Sequence, residues 1–145
     1  MRSQYFKLAK PITMGVAAIV FNADKQVLLV RLSYRDGWHL PGGGVNRGET
    51  IFHAMQRELR EETGLRAQFE PEHLRGIFYH RIDGKHDHVS LFIADHWHGE
   101  PCANDPMEIV ELKFFSIEAL PDDTPDPVKK QIASFLAGEK PEQYW

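Results

Sequence analysis

The sequence predicts an α/β fold in which a mixed β-sheet is sandwiched between α-helices. Two observations lead to this class. Apolar runs of strand length lie both before and after a helical pattern at 50–63, and a second helical pattern occurs at 126–137. Because no internal repeat or linker separates these segments, we expect one domain over 1–145.

Composition narrows the class of protein further. Of the 145 residues, 42% are hydrophobic and 26% are charged, which argues against a disordered chain. The net charge of -4 gives no general reason to expect nucleic-acid binding, so no DNA partner is predicted. The single cysteine, Cys102, excludes an internal disulfide framework and indicates a reducing, cytoplasmic location.

The beginning of the chain superficially resembles an export signal, because basic residues within 2–10 precede the apolar run 12–21. Pro11 and Gly15 break that run, and no stretch approaches the roughly 20 apolar residues that cross a bilayer. We therefore expect a core β-strand here and no membrane partner.

The first strands follow from apolar runs. The runs 13–21 and 26–31 are typical of strands, and the polar turn 22–25 between them predicts a β-hairpin. The three consecutive glycines at 42–44 predict a break in regular structure.

The helix at 50–63 has an apolar stripe of Phe52, Met55 and Leu59 that faces a core. Thr50 is its expected N-cap, and Gly64 its expected C′ terminator.

The second half of the chain reads as strands followed by a helix. The runs 74–82 and 86–97 predict two long strands joined by a hairpin turn at Asp83-Gly84-Lys85. A short strand is expected at 112–115, and Val128, Ile132 and Phe135 lie on one face of the helix at 126–137.

The helix at 50–63 also carries chemistry. Helical geometry places Glu58, Glu61 and Glu62 on one surface strip. Such a strip can be a solvated acidic face, supported by an i, i+4 pair of Arg57 with Glu61. It can also bind a hard divalent cation, which prefers oxygen ligands and shares its shell with phosphates. The glycine loop before it would let a ligand approach the backbone.

The spacing of these residues is similar to a known motif. Gly43, Glu49 and the run Arg57-Glu58-Leu59-Arg60-Glu61-Glu62-Thr63-Gly64-Leu65 resemble the Nudix box, Gly-x5-Glu-x7-Arg-Glu-apolar-x-Glu-Glu-x-Gly-apolar, over 43–65 without a departure. The preceding Trp38-His39-Leu40-Pro41-Gly42 also resembles the family's approach to its box.

The resemblance to MutT-like Nudix hydrolases implies a Nudix fold and metal-dependent cleavage of a phosphoanhydride in a nucleoside diphosphate linked to another moiety. Mg²⁺ or Mn²⁺ is the implied cofactor. The implied metal ligands are Gly43 through its carbonyl, Glu58, Glu61 and Glu62. One carboxylate of the group would act as general base, and Arg57 with Glu49 would fix the loop against the helix.

Residues outside the box are open to two interpretations. Glu108 and Glu111 are either surface charges or, more plausibly for Glu108, a further catalytic carboxylate of the kind that a late loop supplies in the family. Arg31 and Arg35 are either surface charges or substrate-binding residues that contact phosphates through their planar donors.

Histidines gather on or beside the second pair of strands, and alternation places His86 and His88 on one side of theirs. We expect a polar strand face there rather than nucleotide contacts or a zinc site. Four aromatic residues are candidates for packing or, less readily, for base stacking: Trp38, Phe78, Tyr79 and Trp97.

Alternatives to this enzyme are a noncatalytic Nudix-like module that senses a nucleotide and an isoprenoid diphosphate isomerase. Three retained box glutamates favour catalysis, and Cys102 lies in no matching isomerase motif. The substrate stays open among nucleoside triphosphates, nucleotide sugars, dinucleoside polyphosphates and ADP-ribose, with capped or triphosphorylated RNA less expected from the acidic charge. A homodimer is an expectation from the family.

Overall fold

The computed structural model describes residues 11–145, so the basic residues of the apparent export signal lie outside the described part. The strands are β1 (Ile12–Val20), β2 (Val27–Leu32), β3 (Trp38–His39), β4 (Gly42–Gly44), β5 (Leu74–Ile82), β6 (Lys85–Ala94) and β7 (Ile109–Phe115). The helices are α1 (Ile51–Thr63) and α2 (Asp126–Leu136), with short 3-10 turns at Pro71–His73 and Ile117–Ala119.

The strands form two sheets. The larger has the order β4-β1-β6-β5, and the smaller has the order β3-β2-β7. The larger sheet is mixed, because β1 runs parallel to β6 but antiparallel to β4. Both of its faces are buried in the middle, since successive residues of β1 from Val16 to Val20 are all buried.

A helix covers each face of the mixed sheet. On one face, Ala54, Met55 and Leu59 of α1 pack with alternate residues of β1, among them Val16 and Ala18. On the other, the α2 residues Val128 and Ile132 pack in a second apolar cluster that contains Ala17, Ile19 and Leu91. The predicted arrangement, a mixed sheet between helices, is confirmed.

The predicted hairpin of the first two strands is wrong. β1 and β2 belong to different sheets and are linked by a single bridge between Phe21 and Val27. The edges of β1 are occupied by β4 and β6, whereas β2 pairs with β3 and β7. Local pattern shows that a strand exists but not which partner takes its edge.

The glycine run is a strand, not the break in regular structure that its composition predicts. β4 pairs with β1, and Gly15 lies opposite Gly44. A Cβ at Gly42 would collide with the Val16 carbonyl oxygen, so the absence of a side chain allows the close approach of the two strands.

The ends of α1 agree with the prediction. The Thr50 side chain accepts a hydrogen bond from the backbone N–H of His53 (3.1 Å), and Gly64 terminates the helix at φ 74°. The β5–β6 hairpin also agrees, with Asp83 and Gly84 at positive φ in its turn.

Two strand boundaries differ from the predicted ones by three residues. β6 ends at Ala94 instead of continuing to 97, and the Trp97 indole instead donates to the Phe21 carbonyl (2.9 Å). β7 starts at Ile109, earlier than the predicted 112. Neither helix within residues 11–145 combines the length and apolar composition that a bilayer crossing requires.

Candidate active site

A cleft of about 430 Å³ opens where the glycine strand β4 meets the end of α1. Its lining includes Gly42, Gly43, Gly44 and Glu62 on one side and Arg35 on another. A larger cavity of about 1040 Å³ lies at the far end of β1, around Trp97, and none of the box carboxylates line it. The chemistry of the box therefore belongs to the smaller cleft.

Glu62 is the most deeply buried of the three box glutamates. Its residue is only 2% exposed, and its carboxylate accepts a hydrogen bond from the Gly42 N–H at 2.7 Å. Burial raises the pKa of Glu62 to about 9, and the negative charges of Glu58, Glu108 and Glu61 add to that rise. The metal-free protein therefore holds this carboxyl protonated at neutral pH.

Glu58 lies directly against the glycine strand. A Cβ at Gly43 would be 2.5 Å from the Glu58 carboxylate, so glycine is required for the two to meet. Burial raises the pKa of Glu58, and the neighbouring Arg57 opposes that rise. Buried Glu62 and half-buried Glu58, both with raised pKa values, lie beside the glycine strand, and a cation bound there would stabilise their charged forms.

Arg57 ties the helix to the loop before it. Its guanidinium donates to both carboxylate oxygens of Glu49 (2.6 and 2.9 Å) and to the Gly44 carbonyl (2.9 Å). The same side chain donates to Glu58 at 2.8 Å and to Glu61 at 3.2 Å. The bonds that Glu49 accepts from Arg57, with one from the Asn46 N–H, lower the pKa of Glu49 to about 2. Arg57 thus contacts every acidic box residue except Glu62.

Glu61 faces solvent, with 52% of its side chain exposed. The sequence places all three glutamates on one strip, but the structure distributes them from buried Glu62 to exposed Glu61. No three His, Cys, Asp or Glu side chains within residues 11–145 already surround a point where a metal ion would sit.

The structure distinguishes the two late glutamates. Glu108 is close enough to raise the pKa values of Glu58 and Glu62, and it accepts a hydrogen bond from the Tyr34 hydroxyl at 3.2 Å. Burial and this carboxylate raise the pKa of Tyr34 to about 12. Glu111 instead faces Arg31 at 3.8 Å on the surface. Of the two, Glu108 is the one placed near the box.

The two candidate arginines are likewise separated. Arg35 lines the cleft, together with Tyr34. Arg31 pairs with Glu111 and lies 5.7 Å from the centre of the Trp38 ring, outside the cleft lining. Of these two arginines, Arg35 is the one placed to meet a ligand beside the glycine strand.

The histidine-bearing hairpin divides between two faces. Tyr79, His86 and His88 form a polar aromatic face, in which the Tyr79 hydroxyl lies 2.6 Å from His86 Nδ1. His80 is on the opposite face and lines the cleft, where burial lowers its pKa.

None of the four aromatic residues considered for packing or base stacking lines the cleft. Trp38 and Phe78 are buried, and Trp97 stacks on Phe114. Trp145 and Asp87 do line it, and sequence reasoning missed both. The only sequence signal for Asp87 is alternation along its predicted strand, whose partners were unknown, and Trp145 belongs to no predicted element.

Comparison with known proteins now decides the family. The family model described as NUDIX domain matches residues 11–137. The chain belongs to the Nudix family. A MutT Nudix hydrolase from Burkholderia pseudomallei has a similar structure, with a TM-score of 0.76 and 25% identity over 86% of this chain and 98% of that one.

Two further similar proteins are named for the reactions that they catalyse. A UDP-X diphosphatase structure is 27% identical, with a TM-score of 0.74 over 99% of this chain and 72% of that one. An RNA pyrophosphohydrolase from Xanthomonas campestris pv. campestris (strain B100) is 49% identical over 60 residues, 41% of this chain. That match spans only 27% of the relative's length. The chain therefore has the Nudix fold, as the box predicted.

Proposed function

We propose that this Nudix hydrolase is a divalent-metal-dependent pyrophosphohydrolase that cleaves a phosphoanhydride in a nucleoside diphosphate linked to another moiety. One observation carries the proposal: buried Glu62 and half-buried Glu58 meet the glycine strand at the edge of a cleft that Arg35 also lines. The carboxylates at the cleft and the phosphates of the substrate are all negatively charged and repel one another. The substrate can bind there only if cations neutralise both sets of charges.

Mg²⁺ or Mn²⁺ fits the donors present. Nudix hydrolases generally use divalent metals, and the donors here are hard oxygens: the Gly43 carbonyl and the carboxylates of Glu58, Glu61 and Glu62. When bound there, the metal would neutralise phosphate charge, lower the pKa of a water ligand and stabilise the leaving oxygen.

Residues of the chain itself would orient the metal ligands, accept a proton and bind phosphate. Arg57 and Glu49 hold the glycine strand against α1 and orient Glu58, which is a positioning role. A carboxylate takes the proton of the attacking water, and Glu58, Glu61 and Glu108 are the candidates for this general base. Such acid–base help contributes about 10²–10⁴-fold. Arg35 would bind a phosphate oxygen, a role for which Arg31 is less well placed.

A substrate panel tests the reaction class. Nucleoside triphosphates, nucleotide sugars, dinucleoside polyphosphates, ADP-ribose and 5′-triphosphorylated RNA would be incubated with Mg²⁺ or Mn²⁺, with and without EDTA, and products identified by mass spectrometry. RNA belongs in the panel because one relative is named as an RNA pyrophosphohydrolase. Cleavage that EDTA leaves unchanged, or no cleavage of any member, would overturn the proposal.

Substitutions test the residues. Glu58→Gln and Glu62→Gln should lower turnover at saturating Mg²⁺ by at least about 100-fold, since each removes a charged metal ligand. Glu61→Gln should lower it as well. Glu72→Gln, in the exposed 3-10 turn Pro71–His73, is the matched control that keeps full activity. Unchanged turnover in all three box variants would refute the metal site.

Domain organisation and assembly are also proposals. We infer that 1–145 is one folded unit and that it forms a homodimer. Light scattering of the full chain measures its mass, and a single cooperative unfolding transition would support one domain. A monomeric mass would refute the dimer and leave the reaction proposal unaffected.

A further inference from the structure

We propose that Asp87 and Trp145 form the nucleoside end of the cleft, where Asp87 accepts hydrogen bonds from sugar hydroxyls and Trp145 stacks on the base. The inference rests on the proposed function, because it assumes that the diphosphate lies at the glycine strand. Its basis is the order of residues across one face of the mixed sheet.

The face that forms the α2-side core becomes polar at one end. Along β6 the face presents Asp87, Val89 and Leu91, and along β1 it presents Thr13, Gly15 and Ala17 opposite them. The apolar residues of this series lie in the core cluster, where Ala17 and Val89 also reach the cleft, and the series ends in the cleft with the polar residues Asp87 and Thr13. The floor of the cleft is therefore the polar end of the core face.

One oxygen of the Asp87 carboxylate accepts no hydrogen bond from within residues 11–145 and can meet a ligand. Asp87 Oδ1 accepts from the Thr13 hydroxyl at 2.8 Å. Asp87 Oδ2 lies over Gly15, 3.2 Å from where a Cβ would be, and the missing side chain leaves that oxygen open. The same Cβ position is 3.5 Å from the Gly43 carbonyl oxygen, so Asp87 borders the proposed phosphate end.

An ionised carboxylate accepts hydrogen bonds and donates none. In this cleft it would repel phosphate, so it must meet a part of the substrate that carries donors. The group bonded next to the diphosphate in such a substrate is the sugar, whose hydroxyls are donors. Asp87 lies close to Gly43, just as the sugar lies next to the diphosphate in such a substrate.

Trp145 reaches the cleft because its segment adds to the sheet edge. Gln143 and Trp145 exchange backbone hydrogen bonds with Tyr79 of β5, at 2.7 and 2.9 Å. Alternation then places Tyr144 beside Tyr79 on one face and Trp145 beside Phe78 and His80 on the other. The indole is half-buried and forms part of the cleft wall.

The order across the sheet is thus Gly43 on β4, Gly15 on β1, Asp87 on β6, His80 on β5, and Trp145. Neighbouring strands lie about 4.8 Å apart, so each step is close to the size of one substrate group. Phosphate, sugar and base would follow this row in sequence, and Trp145 would offer its flat surface to the base.

Binding and kinetics test the inference separately from the reaction. The binding probes are α,β-methylene-ADP and α,β-methylene-UDP with Mg²⁺, titrated into the full chain. Asp87→Asn should weaken binding of the better probe by about tenfold or more, since a hydrogen bond to a charged group is lost. Thr13→Val removes the bond within the protein but keeps the carboxylate, so it should weaken binding clearly less than Asp87→Asn does.

Pairs of substrates that differ only in the sugar test whether Asp87 contacts the sugar hydroxyls. With the fastest substrate of the panel, D87N should raise KM with little change in kcat and should narrow the preference for ribose over 2′- and 3′-deoxyribose. A fall in kcat with weaker Mg²⁺ activation would instead assign Asp87 to the metal site and overturn the inference. Equal effects of D87N and T13V, with loss of thermal stability, would make Asp87 a strand-joining residue and also overturn it.

Tryptophan fluorescence reports on Trp145. Probe binding should quench the wild-type signal, and Trp145→Phe should remove most of that quenching, because Trp38 is buried and Trp97 lines the other cavity. Tyr144→Ala, on the opposite face of the same segment, should leave both affinity and quenching intact. Undiminished quenching in W145F, or a wild-type protein that binds neither probe, would refute the subsite. Binding without any metal-dependent cleavage would refute the proposed reaction alone.

Discussion

Replacement of Glu62 by Gln should remove a large pH dependence from the stability of the metal-free protein. The Glu62 carboxyl is 2% exposed and accepts from the Gly42 N–H. The amide oxygen of Gln can still accept that bond, but the side chain no longer ionises. The substitution therefore isolates the cost of burying the negative charge.

The magnitude follows from linkage between protonation and folding. The pKa of Glu62 is about 9 in the folded protein against 4.5 for an unperturbed glutamate. Between those values the folded state holds one proton more than the unfolded state, so the free energy of unfolding falls as pH rises. The slope is about 1.4 kcal/mol per pH unit, or about 3 kcal/mol between pH 6 and pH 8.

Urea unfolding in EDTA at pH 6 and pH 8 measures this slope. Wild type should lose about 3 kcal/mol more than E62Q between the two values, because the contributions of the histidines cancel in the comparison. Glu61→Gln is the control, since its side chain is 52% exposed and its loss should leave the wild-type slope intact. Parallel losses in wild type and E62Q would show that Glu62 does not hold the extra proton.

Other perturbations test packing, the glycine strand and the arginine network. Leu59→Ala, at a fully buried position, should lower the free energy of unfolding by about 2–5 kcal/mol in a urea titration, and a negligible loss would contradict the packing of α1. Gly43→Ala should displace the Glu58 carboxylate and lower turnover by about 100-fold with an unchanged far-UV CD spectrum; full activity would exclude their contact. Arg57→Gln should raise the pKa of Glu49 from about 2 toward 4.5 in an NMR titration, and a pKa that stays low would assign the depression to another donor.

Local physics explains the elements that the sequence predicted well. The apolar period of α1, its N-cap Thr50 and its terminator Gly64 all act within a few residues, so they can be read without knowledge of the fold. The turn Asp83-Gly84 is equally local. The resemblance to the Nudix box implies that the glutamates lie near Gly43, and Glu58 and Glu62 do lie beside the glycine strand.

The pairing of strands that lie far apart in the sequence explains what the sequence did not predict. The predicted hairpin of β1 and β2 was wrong because the edge of a strand can pair with any other strand of the chain. The edge of β1 pairs with β6, which lies far along the sequence. The approach of Glu108 to the box depends on the same long-range pairing, through β7 and β2. Trp145 enters the cleft only because its segment joins β5.

The parallel pairing of β1 with β6 has a consequence for synthesis on the ribosome. Thr13 and Asp87, which bond to each other, are 74 positions apart, so the centre of the sheet cannot close until most of the chain has emerged. Until then the apolar stretch of β1 has only the short β4 beside it. Topologies dominated by such distant contacts fold slowly, so we expect the nascent chain to depend on chaperones that bind exposed apolar strands.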